Sequence, residues 1–204
     1  MQPTSIDVIA SSLEGTAAPE LGGLSSPDGA LTLLFCEIAN IAAIRAALTP
    51  ERLATLLGDQ CAIVRRIAGH HNAEIARAHD DGFMIAFDSA HAALRCAIDL
   101  QRSFATVTVE ETSTTVKLRV GLHTGFVIGD GGDLYGRNVL LGARVTSQAA
   151  GGEIMVSAKV KEYTQTDASF HFSARGEHHF KGLHGEHLLF AVDWRQPTTG
   201  LGEL

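Results

Sequence analysis

Leu31-Thr32-Leu33-Leu34-Phe35-Cys36-Glu37-Ile38 is the stretch on which the reading of this chain turns. The run is apolar, short and abrupt, and it reads as a buried strand. Upstream of it, residues 1–29 are rich in Gly, Ser, Pro and Thr and hold no sustained period, so they are expected to be a disordered tail. Ile6, Val8 and Ile9 are apolar residues within it that could dock elsewhere. Downstream, Thr49 caps a helix, Pro50 suits its first position, and Glu51 complements its dipole. Leu53, Leu56, Leu57, Cys61, Val64 and Ile67 then recur at helical spacing and read as core.

Glu74 to Ala78 and Phe83 to Phe87 read as two strands around the hairpin signal Asp80-Asp81-Gly82. Ser89 opens a second amphipathic helix, and Val116 to His123 is another strand. The order is β-α-β-β-α-β, which predicts an α/β sandwich of ferredoxin-like type with the first strand central, beside the hairpin. A Gly-rich turn at 129–132 follows, then a helix over Val139 to Gln148, a strand over Glu153 to Ser157, a short helix over 158–163 and the apolar run Leu188 to Val192. These extra C-terminal elements close one domain over 30–194, with a frayed end from Arg195.

Composition limits the partners. The 204 residues are 45% apolar and 19% charged, and 16 basic against 23 acidic residues give a net charge of −7. That balance argues against a general nucleic-acid surface or a polybasic membrane patch. No apolar stretch is long enough to span a bilayer, and the first residues lack the basic start and continuous apolar block expected of a signal peptide. Cys36, Cys61 and Cys96 form no metal-ligand spacing and fit reduced thiols in a cytoplasmic protein.

Two clusters carry chemistry. Asp81 at the hairpin tip and Glu37 near a neighbouring strand end can hold hard cations through oxygen. Two such metals can clamp the attacking and leaving oxygens of a phosphoryl displacement. A solvated turn acid and a strand-end acid are the plainer reading of spacing alone. The second cluster is Asp133-Leu134-Tyr135-Gly136-Arg137-Asn138-Val139, followed by Arg144. A carboxylate there can accept from an exocyclic amine, and an arginine can bind phosphate as a fork. In isolation, a turn acid and a surface helix arginine are again the plainer reading. His178, His179, His184 and His187 read as solvated rather than as a zinc site, since no cysteine is near. His123 belongs to its strand, and Lys181 is either solvated or within reach of phosphates.

Taken together these blocks resemble the class III nucleotidyl cyclase catalytic domain. The resemblance rests on Leu33 to Ile38, Asp81 to Phe87, Arg119-Val120-Gly121-Leu122-His123-Thr124-Gly125, and Tyr135 to Val139 through Ala143-Arg144. Gly151 to Ser157 and Phe180-Lys181-Gly182-Leu183 follow in order. It implies attack of a ribose 3′-hydroxyl on the α-phosphate at the interface of a wrapped dimer, either a homodimer or a heterodimer with another cyclase chain. Glu37 and Asp81 then match the metal-binding acids, for Mg²⁺ or Mn²⁺. Arg77 stands at the base-contacting lysine, Asp133 at the acid that accepts from adenine, and Arg144 at the arginine that steadies the transition state. One protomer supplies the metals and the other these three, and Asp133 favours ATP over GTP.

Four positions depart from the pattern: Glu37 for aspartate, Ile41 in a stretch of small residues, Asp80 for glycine and Leu140 for asparagine. Two functions are therefore expected: an adenylate cyclase, or a degenerate cyclase-homology domain that binds nucleotide or regulates through dimerisation.

Overall fold

The computed structural model describes residues 4–13, 29–126 and 132–195. The turn at 129–131 and the chain beyond Arg195 lie outside them. Helix α1 (Ser5–Leu13) precedes strand β1 (Ala30–Ile38), α2 (Ile41–Ala47), α3 (Pro50–His70), β2 (Glu74–His79) and β3 (Gly82–Phe87). Then come α4 (Ala90–Phe104), the short pair β4 (Thr108–Val109) and β5 (Thr114–Thr115), β6 (Leu118–Phe126) and α5 (Gly132–Ser147). The chain continues through β7 (Ile154–Ser157), α6 (Ala158–Thr164), β8 (Phe172–His178) and β9 (His187–Val192).

Seven strands form one sheet in the order β2-β3-β1-β6-β7-β9-β8, antiparallel except for the β6–β7 pair. The first four of these reproduce the ferredoxin-like order, with β1 between the hairpin and β6. Thr49 accepts the Arg52 N–H at the start of α3, and Ser89 accepts the Ala92 N–H at the start of α4.

Alternation along β1 sorts its side chains between two layers. Leu34, Cys36 and Ile38 enter the main core with α3 and α4, while Leu33 and Phe35 face α1 and α5. Glu37 shares the odd parity of Leu33 and Phe35, so it falls on the α1/α5 side. β6 repeats the division, with Leu118, Val120 and Leu122 in the main core and Arg119, Gly121 and His123 opposite. At Gly121 an added Cβ would lie 2.5 Å from the Thr146 Cα, so glycine lets α5 press against the sheet.

Several segments depart from the sequence reading, and three of them bear on the site. Part of the expected tail is helix α1, capped reciprocally at its start: Asp7 N–H donates to Thr4 Oγ1 at 3.2 Å, and Thr4 N–H to Asp7 Oδ2 at 3.1 Å. Ile6, Ile9 and Ala10 then share one face and are buried against Leu33, Phe35, Met84, Ala86, Val139 and Ala143. Ile41 opens helix α2 and leans on the main core. α5 begins at Gly132, so its backbone is helical through Asp133 and Arg144 sits in its last turn. All three cysteines are free, and burial pushes the Cys96 thiol up to about 12.

Candidate active site

Glu37 is the penultimate residue of the central strand β1, and Asp81 sits in the tight turn joining β2 to β3. Both are buried, at 3% and 2% exposure, and both line one cavity of about 400 Å³ with Ser5, Ile38, Ile41, Asp80 and Arg119. The β1–β6 register sets Arg119 directly opposite Glu37. Its guanidinium donates from Nε to Glu37 Oε1 at 2.7 Å, and its Nη2 contacts the same oxygen. Burial pushes the Glu37 carboxyl up; the Arg119 charge and the Ile6 N–H pull it back, and nearby Asp81 adds to the rise.

The turn that carries Asp81 is held from three directions. Ile38 N–H donates to Asp81 Oδ2 at 3.0 Å, tying the turn to β1. From the other layer, Gln60 of α3 donates its Nε2–H to the Asp81 carbonyl at 2.8 Å. Gln60 is itself buried, its Oε1 has no partner among the described residues, and it lines a second cavity of about 160 Å³ between α3 and the β4–β5 region. Asp80 precedes Asp81 with φ 49°, a left-handed conformation that glycine adopts without cost, and its exposed carboxylate pairs with Arg45 at 3.2 Å.

Helix α1 enters this site with three consecutive residues. Ser5 Oγ donates to Asp81 Oδ1 at 2.7 Å, and Ile6 N–H donates to Glu37 Oε2 at 3.1 Å. The Asp7 carboxylate accepts from Arg144 Nη1 at 3.3 Å. Gly82 makes the approach feasible, because an added Cβ there would lie 2.7 Å from the Ser5 Cβ.

The donor set suits a hard divalent cation such as Mg²⁺ or Mn²⁺: two carboxylates, buried side by side, offering oxygen only. Among the described residues no three His, Cys, Asp or Glu side chains group to hold a metal. Coordination would be completed by backbone carbonyl, water or phosphate oxygens.

The remaining residues singled out in the sequence are dispersed. Arg144 lies on the α1/α5 side, and its buried Nε has no partner among the described residues. Arg77 is exposed on the edge strand β2 and donates from Nη1 to the Ala76 carbonyl at 3.1 Å. Lys181 is exposed in the β8–β9 connection. Leu140 is half-buried and sits 3.2 Å from where a Cβ on Gly182 would be. Asp133 belongs to the first turn of α5, and its side chain lies outside the described residues. His123 is buried between Ser157 Oγ (2.9 Å) and Asn138 Oδ1 (3.1 Å), and burial holds its pKa down near about 4. His178 and His187 each stack on Phe180, and His179 faces Glu186 at 3.5 Å.

Sequence reasoning missed Arg119, Gln60 and the first turn of α1 as parts of this site. Gln60 had a signal, a polar residue on the stripe of Leu53, Leu56, Leu57, Val64 and Ile67. So did α1, where Thr4-x-x-Asp7 opens a segment with apolar residues at 6, 9 and 10.

The chain matches the family described as the adenylate and guanylate cyclase catalytic domain over residues 25–193. An uncharacterised protein of Mycobacterium tuberculosis is 32% identical over 136 residues, 65% of this chain and 44% of that protein. A receptor-type adenylate cyclase of Trypanosoma congolense is 27% identical over 186 residues, 68% of this chain and 25% of that protein. The chain thus spans less than half the length of these curated relatives. Among solved structures, an adenylate cyclase from Trypanosoma brucei in its monomeric state superposes with TM-score 0.71 at 22% identity, covering 83% of this chain and 90% of that one. The adenylyl cyclase CyaB from P. aeruginosa gives 0.67 at 20% identity, covering 80% and 93%. The guanylyl cyclase Cya2 gives 0.68 at 20% identity, covering 80% and 91%. These structural likenesses are of fold and include cyclases named for either base.

Proposed function

The chain belongs to the adenylate and guanylate cyclase catalytic-domain family, and from that premise we propose that it is an adenylate cyclase working as a homodimer. The carrying observation is the convergence of buried Glu37 and Asp81 on one cavity. In the proposed reaction the ribose 3′-oxygen of ATP bonds to the α-phosphorus. The bond from that phosphorus to the α,β-bridging oxygen breaks, the 3′-hydroxyl proton passes to solvent, and 3′,5′-cyclic AMP and pyrophosphate leave.

Glu37 and Asp81 would hold Mg²⁺ or Mn²⁺, which supplies positive charge at the reacting phosphate and makes the 3′-hydroxyl more acidic. Arg119 orients Glu37, while Ile38 N–H and Gln60 fix the Asp81 turn. Arg144 of the second protomer would stabilise charge developing on the α-phosphate. Asp133 would accept from the adenine amine, Arg77 would donate to adenine N1, and Lys181 would steady the polyphosphate. Guanine places a carbonyl where Asp133 needs a donor, which is the reason for choosing ATP.

The test is incubation with ATP or GTP under Mg²⁺ and Mn²⁺, reading cyclic nucleotide. Cyclic AMP is expected, and Asp81→Ala should reduce it to background. Glu37→Asp should raise the rate by up to about 10²-fold, since misplacing a catalytic group by about 1 Å costs that much. Preference for GTP would overturn the role of Asp133. No product from a folded dimer would overturn the enzyme reading.

A second reading is a nucleotide-binding or regulatory dimerisation module, alone or with another cyclase chain. The Arg119 guanidinium on Glu37 favours it, because it already neutralises one of the two acids. Calorimetric binding of a non-hydrolysable ATP analogue without turnover would support this reading.

A further inference from the structure

We infer that the first turn of α1 is a built-in plug that competes with the metal-bound polyphosphate, so that the site opens only when α1 leaves. The inference rests on the proposed roles of Glu37, Asp81 and Arg144 and extends them to a segment outside the matched domain, since α1 ends before residue 25.

Charge complementarity carries the argument. A metal-bound polyphosphate presents positive charge to the acids of one protomer and negative charge to the arginine of the other. α1 presents both charges within a single protomer. Ser5 O–H and Ile6 N–H, at the positive end of the helix, donate to Asp81 and Glu37, and the Asp7 carboxylate takes Arg144. Three successive residues thus engage both metal-binding acids of a protomer's own site and the arginine that the protomer would offer to its partner's site. A helix that merely covered apolar surface would have no reason to find all three.

The contact is also built to be reversible. α1 has nine residues, fewer than an isolated helix needs to persist in water. It contributes Ile6, Ile9 and Ala10 to a small cluster and pairs with no strand, so its departure leaves the seven-stranded sheet intact. Docking and metal binding are then linked, each weakening the other by the same factor. If α1 is docked about 90% of the time, apparent metal affinity falls about tenfold.

The test uses the full chain and Mn²⁺ as the probe, with free Mn²⁺ read by electron paramagnetic resonance. Ile9→Asp places a charge under the helix, away from Glu37 and Asp81, and should raise Mn²⁺ affinity about tenfold or more. Asp7→Asn, which weakens the Arg144 contact and the Thr4 cap but leaves the apolar face of α1 intact, should raise it by a smaller factor and guards against misfolding of the first variant. In the wild-type chain, saturating Mn²⁺ should speed amide hydrogen exchange at residues 6–10. Equal Mn²⁺ affinity in all three chains, with unchanged exchange, overturns the plug and leaves the metal site standing. Mn²⁺ bound by none of them overturns the metal site, and the plug with it.

Discussion

The two faces of the sheet are made from alternate residues of the same strands, yet they are finished differently. On the α3/α4 side, Leu34, Phe83, Ile85, Leu94, Leu118 and Leu122 are sealed into one large apolar cluster. On the α1/α5 side the apolar contacts break into two smaller clusters, and between and beside them lie Glu37, Arg119, His123 and Arg144. The first face stabilises the fold, and the second places charge where a ligand can reach it. A one-residue step along β1 separates Cys36 in the core from Glu37 at the cavity, so strand register is what keeps the two roles apart.

The comparison is broken most severely by a cavity in the sealed face. Leu94→Ala, at a fully buried position, should cost about 2–5 kcal/mol in urea unfolding. Acid attacks the other face. His123 is neutral in the fold with its pKa held down to about 4, while an unfolded histidine titrates near 6.5. The unfolded chain therefore takes up the proton first as pH falls. Stability from this residue is intact above about 6.5 and is lost progressively toward about 4, by about 3 kcal/mol in all. Chemical denaturation between those pH values should show the slope, and His123→Gln should flatten it. The smallest effect belongs to the turn. Asp80→Gly relieves a left-handed residue but loosens the unfolded chain, so the two contributions nearly offset and the change should stay within about 1 kcal/mol. A larger loss on calorimetric melting would mean that the Arg45 pair matters more than its exposure implies.

Legibility in the sequence follows the same division. β1, the Asp80-Asp81-Gly82 turn and the capped helices α3 and α4 declare themselves, because burial and capping write strong local patterns. β8 does not: Phe172-Ser173-Ala174-Arg175-Gly176-Glu177-His178 is a polar edge strand with a register shift, held mainly by pairing to β9. α1 is hidden for another reason, since a short helix in a Gly- and Ser-rich region is stable only through contacts made far along the chain. The acids of the site were readable as residues, whereas the groups that hold them, Arg119 across a strand pair and Gln60 across a layer, depend on tertiary placement.

Gln60 has one more consequence. Its amide reaches through from α3, on the sheet's far side, to grip the peptide that carries Asp81. The acid-bearing loop is therefore moored to a helix that never touches the crevice, and any force that tilts that helix tugs the loop like a rope under a deck.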